Sequence, residues 1–178
     1  MHAGRNWRPS KPLRKSDKQK RQMKDAKMKA KLNDVISLKF ALDVEDGWPP
    51  VAAESLPFRV EENGYRALSA PLFIKDLSAE DVISACISDN YDVESWEHIG
   101  RSQRSTVWLL RLKSPNKIDQ VLLRARAMSC NTSGIDSLGC YNIDVPAEVP
   151  ISEIDAIFAE LDEDTVAVAF PSLRHPDE

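Results

Sequence analysis

Apolar and polar residues alternate strictly from Ile36 to Val44. Ile36, Leu38, Phe40, Leu42 and Val44 are separated by Ser37, Lys39, Ala41 and Asp43. A period of two sustained over this stretch predicts a half-buried strand. It stops at Asp46-Gly47-Trp48-Pro49-Pro50, where the prolines remove ladder donors and fix an extended turn. Strand signals resume at Val51 to Leu56 and at Phe58 to Val60. Asn63-Gly64 then reads as a tight hairpin turn, since both residues tolerate positive φ, and Tyr65 to Leu68 returns. Pro71 to Leu77 reads as a short extended piece. Val82, Ile83, Cys86 and Ile87 have helical spacing, but over about two turns the period does not separate helix from strand. Tyr91 to Ile99 reads as a strand and Gly100 to Ser105 as a polar hairpin loop. Thr106 to Leu112 is apolar on both faces, as in a central strand.

The C-terminal pattern shifts toward helices. Ser114-Pro115 reads as a cap with a first-turn proline, followed by Ile118, Val121, Leu122 and Ala125 on one face. Cys140 to Val145 is a strand ending at Pro146. Ser152 reads as the cap of a second helix with Ile154, Ile157, Phe158 and Leu161 on its face, and Thr165 to Phe170 as a last strand. The expected fold is α+β: an N-terminal β-rich meander or small barrel over residues 33–100, then a β-α-β-α-β ferredoxin-like half over 101–170. Residues 171–178 read as a tail.

Residues 1–32 break from this pattern. They carry no apolar stripe, and Pro9 and Pro12 interrupt any regular element. Residues 1–31 hold twelve Lys or Arg against Asp17 and Asp25, a net +10, whereas residues 32–178 carry a net −14. The overall charge of −4 therefore hides two electrostatic opposites. The reading is a basic arm that is disordered, or helical only against a partner. Blocks of like charge often act as interaction tails. Arg14, Lys15, Lys18, Lys20, Arg21, Lys24 and Lys27 would neutralise phosphates if the partner is nucleic acid. A solubilising tail, or an arm folded onto its own acidic domain, are the alternatives.

No run approaches a membrane span of roughly 18 apolar residues, and no apolar stretch follows the N-terminal charges as in a secretory signal. Cys86, Cys130 and Cys140 form no Cys-x-x-Cys pair, which suits a reducing, cytoplasmic setting. His2, His98 and His175 lie far apart in the chain, so neither a metal site nor a cofactor is expected. Ser102, Ser105 and His98 supply the ingredients of a nucleophilic triad, but no nucleophile elbow surrounds them. Gly134 and Gly139 make no phosphate loop. The chain reads as non-catalytic.

Several segments together resemble a bacterial family of unknown function built from short single domains. They are Asp46-Gly47-Trp48-Pro49-Pro50 with Glu54, Tyr65, Pro71-Leu72-Phe73, Asp81-Val82-Ile83, Ser105-Thr106, Leu138-Gly139-Cys140 and Asp144-Val145-Pro146. The resemblance runs from about residue 34 to 170. It departs at Ser102-Gln103-Arg104-Ser105-Thr106, which lacks a glycine the pattern carries, and in having the basic arm. By analogy, it implies an antidote to a bacterial toxin.

The expected partner is a protein with a basic surface, drawn to the acidic domain. Trp48, rigidly placed between a glycine and prolines, is a candidate anchor for it. Arg101 and Arg104 are candidate grips on acidic groups, and Asp162, Glu163 and Asp164 on basic ones. The reading is an inhibitor or immunity-type protein, with an RNA- or ribosome-associated factor tethered by the arm as the alternative.

Overall fold

A computed structural model describes residues 31–175. Among the described residues, nine strands, two helices and a short 3-10 turn are arranged as a five-stranded barrel followed by a four-stranded sheet. The barrel comprises β1 (Val35–Ala41), β2 (Ala53–Val60), β3 (Tyr65–Ala67), β4 (Val82–Ile87) and β5 (Asp92–Gly100). Successive strands pair antiparallel, and β1 closes on β5 in parallel through Lys39 opposite Asp92 and Phe40 opposite Val93. Period-two alternation sends Leu38 and Phe40, then Leu56, Phe58 and Val60, into the barrel interior with Ile83 and Ala85. Each such large side chain contributes about 1.5–3 kcal/mol on full burial.

The second half contains β6 (Ser105–Arg111), α1 (Ile118–Ala127), β7 (Asn131–Ile135), the 3-10 turn (Asp136–Leu138), β8 (Cys140–Val145), α2 (Ile151–Phe158) and β9 (Val166–Ser172). All pairings are antiparallel, in the order β7-β8-β6-β9. The expected apolar faces of both helices pack on Val107, Leu109, Tyr141, Ile143 and Val145. β6 is central, as its two apolar faces require.

Several sequence expectations are corrected. The second half is β-α-β-β-α-β, because β7 was unforeseen: Asn-Thr-Ser-Gly-Ile is an edge strand with almost no buried residue, so it carries no alternation to read. The two strand signals on either side of Pro57 belong to one strand, β2, which begins only at Ala53 and runs through Pro57, whose carbonyl accepts Leu68 N at 3.0 Å. Pro71 to Leu77 is irregular, and residues 82–87 are strand. Gly100 to Ser105 is no hairpin loop: β5 belongs to the barrel and β6 to the sheet, so this segment joins the two halves. Neither Ser114 nor Ser152 is a cap. Helix α1 starts after Lys117, with Asn116 Oδ1 accepting Ile118 N, and α2 starts after Pro150. Asn63-Gly64 does turn the β2–β3 hairpin, but neither residue has positive φ. Gly64 is needed there because a Cβ would run into the Ile83 carbonyl oxygen.

A buried polar seam ties barrel to sheet. Asp81, fully buried, accepts Ser78 N at 2.9 Å, His98 Nε2 at 3.1 Å and Ser102 N at 2.6 Å, with Arg174 Nη2 at 3.5 Å. Ser78 Oγ bonds Thr106 Oγ1 at 3.0 Å and Ser172 Oγ at 2.7 Å. Asn142, on β8, donates to Ala70 O at 2.7 Å. The residues read as a tail are therefore partly structural: β9 runs to Ser172, and Arg174 also pairs with Asp76 at 3.0 Å.

Asp76 is held by both Nη atoms of Arg101 as well, at 2.6 and 2.7 Å, and these hydrogen bonds lower its pKa from 3.8 to about 2. A depressed carboxylate stabilises the fold above its unfolded pKa and loses that contribution as pH falls through the folded value. The stability difference between wild type and Asp76→Asn should be constant above about pH 5, shrink as pH falls, and vanish only below about pH 2. Because the side chain is half exposed, the difference at neutral pH should be about 1 kcal/mol or less, as urea titrations across that range would show.

Candidate binding cleft

Above the seam, the turn after β1 and the loop after β3 face each other across a cleft of about 480 Å³. Glu45 and Trp48 exchange backbone hydrogen bonds of 2.9 Å in each direction. Between them, Asp46 and Gly47 both adopt positive φ, 52° and 80°. Aspartate and glycine tolerate this conformation, so the pair closes a tight two-residue turn that fixes Trp48. The Trp48 ring meets Phe73 edge to face at 5.9 Å. Phe73 is held from below, because Glu54 accepts the backbone N–H groups of Leu72 at 2.7 Å and Phe73 at 2.9 Å. Burial nevertheless raises the Glu54 pKa from its ordinary value.

The other walls come from strands. Trp96 of β5 stands edge-on to Phe40 of β1 at 6.1 Å. Trp108 of β6 donates Nε1–H to Pro71 O at 2.8 Å. Three tryptophans from three separate segments thus line one space, with Asp43, Glu45, Asp46 and Lys75 around it. Trp48, Lys75 and Trp108 also line an adjoining apolar groove of about 290 Å³, which continues over Leu110, Cys140, Ala167 and Ala169. None of Asp43, Glu45, Asp46 and Lys75 takes part in an ion pair among the described residues. Aromatic faces and uncompensated carboxylates both attract cations, and a guanidinium can use both at once.

Of the candidate binding residues read from the sequence, only Trp48 is here. Arg101 is committed to Asp76, and Arg104 to Asp144 through two bonds of 2.7 Å each. Asp162 shapes the turn into β9, its Oδ1 accepting Asp164 N at 2.9 Å, and neither it, Glu163 nor Asp164 lines the cleft. Arg14, Lys15, Lys18, Lys20, Arg21, Lys24 and Lys27 lie outside the described residues. The ingredients of a nucleophilic triad do not converge. His98 serves Asp81, Ser102 Oγ donates to Ala79 O, and Ser105 Oγ bonds His175 Nδ1 at 2.6 Å in the buried seam. His175 Nε2 faces the Pro146 carbonyl at 3.0 Å and, since a carbonyl only accepts, is the donor there. Among the described residues no group of His, Cys, Asp or Glu is placed to hold a metal ion, and no helix is long and apolar enough to cross a membrane.

A family model described as a domain of unknown function, DUF4265, matches residues 52–168. The chain belongs to the DUF4265 family. The match takes in β2 to β8, both helices and the start of β9, and so leaves the Asp43–Trp48 rim of the cleft outside it. This DUF4265 chain is also similar to a solved structure, the novel crystal structure of a hypothetical protein from Neisseria gonorrhoeae. The two are 16% identical with a TM-score of 0.60, over 78% of this chain and 96% of that one. That likeness shows the fold. No curated protein matches the sequence. Within the DUF4265 fold, the residues on which the resemblance was read have structural work to do: Glu54 anchors the cleft loop, Asp81 and Thr106 hold the seam, and Asp144 anchors Arg104 and Asn131.

Proposed function

We propose that the folded domain is a non-catalytic protein-binding module that captures a basic segment of its partner in the tryptophan-walled cleft. The observation that carries this reading is the convergence of Trp48, Trp96 and Trp108 with Asp43, Glu45 and Asp46 around one space. Cleft volumes of about 300–1,000 Å³ suit a ligand side chain or short peptide, and aromatic anchors dominate binding energies at such places. The acidic body adds long-range attraction for a basic surface. An inhibitor or immunity-type role, in which this surface occludes a basic toxin, is the form of the reading that uses both features. A cytoplasmic setting is supported by three free, buried thiols, Cys86, Cys130 and Cys140. A ferredoxin-like description of the second half is supported by the strand order β7-β8-β6-β9 and the β-α-β-β-α-β connectivity.

The test is co-purification at moderate salt, with the recovered partner identified and titrated against cleft variants. A basic protein should be recovered, and Trp48→Ala should weaken its binding at least about tenfold, as for an interface anchor. Arg101→Ala should leave it unchanged. A partner that binds Trp48→Ala as tightly as wild type, or recovery of no basic protein, ends this reading.

The second reading is nucleic-acid binding by the arm, favoured by its net +10. It requires affinity that falls linearly on a log–log salt plot.

A further inference from the structure

We infer that the N-terminal arm of this same chain docks in the cleft, with Arg5-Asn6-Trp7-Arg8 as the anchor. This rests on the cleft reading above and gives that cleft a resident occupant.

The chemistry on the two sides matches. Trp7 is the only aromatic residue in the arm, and Arg5 and Arg8 flank it. The cleft offers indole surfaces from Trp48, Trp96 and Trp108 to an aromatic ring, and Asp43, Glu45 and Asp46 to guanidinium groups. Arginine stacks on tryptophan and pairs with carboxylates in the same pose, so each half of the anchor meets its complement. The global charges agree in sign, since the arm is +10 and the rest of the chain −14.

The tether allows it. The described chain begins at Lys31, whose backbone N–H donates to Asp34 Oδ2 at 2.8 Å just before β1. The rim of the cleft starts where β1 ends, about 23 Å further along the strand. From Lys31 back to Trp7 the chain can span up to about 80 Å when extended, more than the distance to the cleft. Tethering also sets an effective concentration of up to about millimolar, so a weak contact suffices to fill the site. A docked arm would neutralise the three rim carboxylates and shield the exposed Trp48, and a basic partner would have to displace it.

The experiment uses full chains and a synthetic peptide of residues 1–12, followed by calorimetry. The peptide should bind a chain carrying Arg5→Glu, Trp7→Ala and Arg8→Glu. It should bind the wild-type chain at least about tenfold more weakly, because the tethered copy competes. Adding Asp43→Asn, Glu45→Gln and Asp46→Asn to the arm variant should abolish peptide binding while leaving its melting temperature within a few degrees. Equal affinity for wild type and the arm variant overturns the inference, as does binding that survives the cleft substitutions, or none at all. Wild type that sediments as a dimer, and as a monomer with the arm substitutions, also overturns it, since the arm then fills a second copy. If the peptide fails to bind but Trp48→Ala still loses the partner, the docked arm is wrong and the cleft reading stands. If peptide and partner both ignore Trp48→Ala, the cleft reading itself fails.

Discussion

Replacing Asp81 with alanine should lower the free energy of unfolding by about 3–5 kcal/mol, because it strips a fully buried carboxylate from the donors built around it. The His98 Nε2 donor, the Ser102 and Ser78 N–H groups and one side of Arg174 would all lose their acceptor. Each is in or beside the seam, where a missing hydrogen bond costs more than it would at the surface. Asp81→Asn should fall between wild type and alanine, since it keeps one accepting oxygen but turns an amide donor toward donors. Guanidinium titration at neutral pH measures this. A loss below about 1 kcal/mol for alanine would mean that water replaces the carboxylate easily, and that the seam does not join barrel to sheet.

The second large effect is in the barrel. Phe58 is fully buried among Leu38, Phe40, Leu56, Ile83 and Ile87, and Phe58→Ala should cost about 3–5 kcal/mol through lost burial and the cavity left behind. Both described helices belong to the other half, so the helical far-UV circular dichroism follows that half while barrel unfolding is followed by the Trp96 19F resonance of a chain labelled with fluorotryptophan. If the seam couples the halves, the two signals should melt together even in Phe58→Ala. Helical signal persisting after the barrel has melted would show two independent units.

Local pattern was a good guide wherever one element buries one face. Leu38, Phe40, Phe58 and Val60 alternate because a barrel has one inside, and Ile118, Val121, Leu122 and Ala125 recur because α1 has one core-facing stripe. It failed at β7, where an edge strand buries little, and at the caps, where backbone geometry and Asn116 replace the serines. Gly64 was read for its φ, whereas its reason is a neighbouring carbonyl far along the chain.

The candidate site was harder to see than the fold. Trp48 could be picked out because its own neighbours, a glycine and two prolines, make it rigid. Trp96 and Trp108 looked like ordinary strand residues, Asp43 like a polar position on a strand, and Glu45 and Asp46 like ordinary turn acids. Arg101 and Arg104 looked free to grip a partner because the carboxylates that hold them, Asp76 and Asp144, are remote in the chain.

The α+β class, the strand and helix faces and the charge division at residue 31 were legible from the chain alone, since each depends on residues close together along it. Only the tertiary structure decided that five strands close into a barrel, that Asp81 and Ser78 join it to the sheet, and that three distant tryptophans meet. Those outcomes depend on pairings between residues tens of positions apart, which no local period encodes.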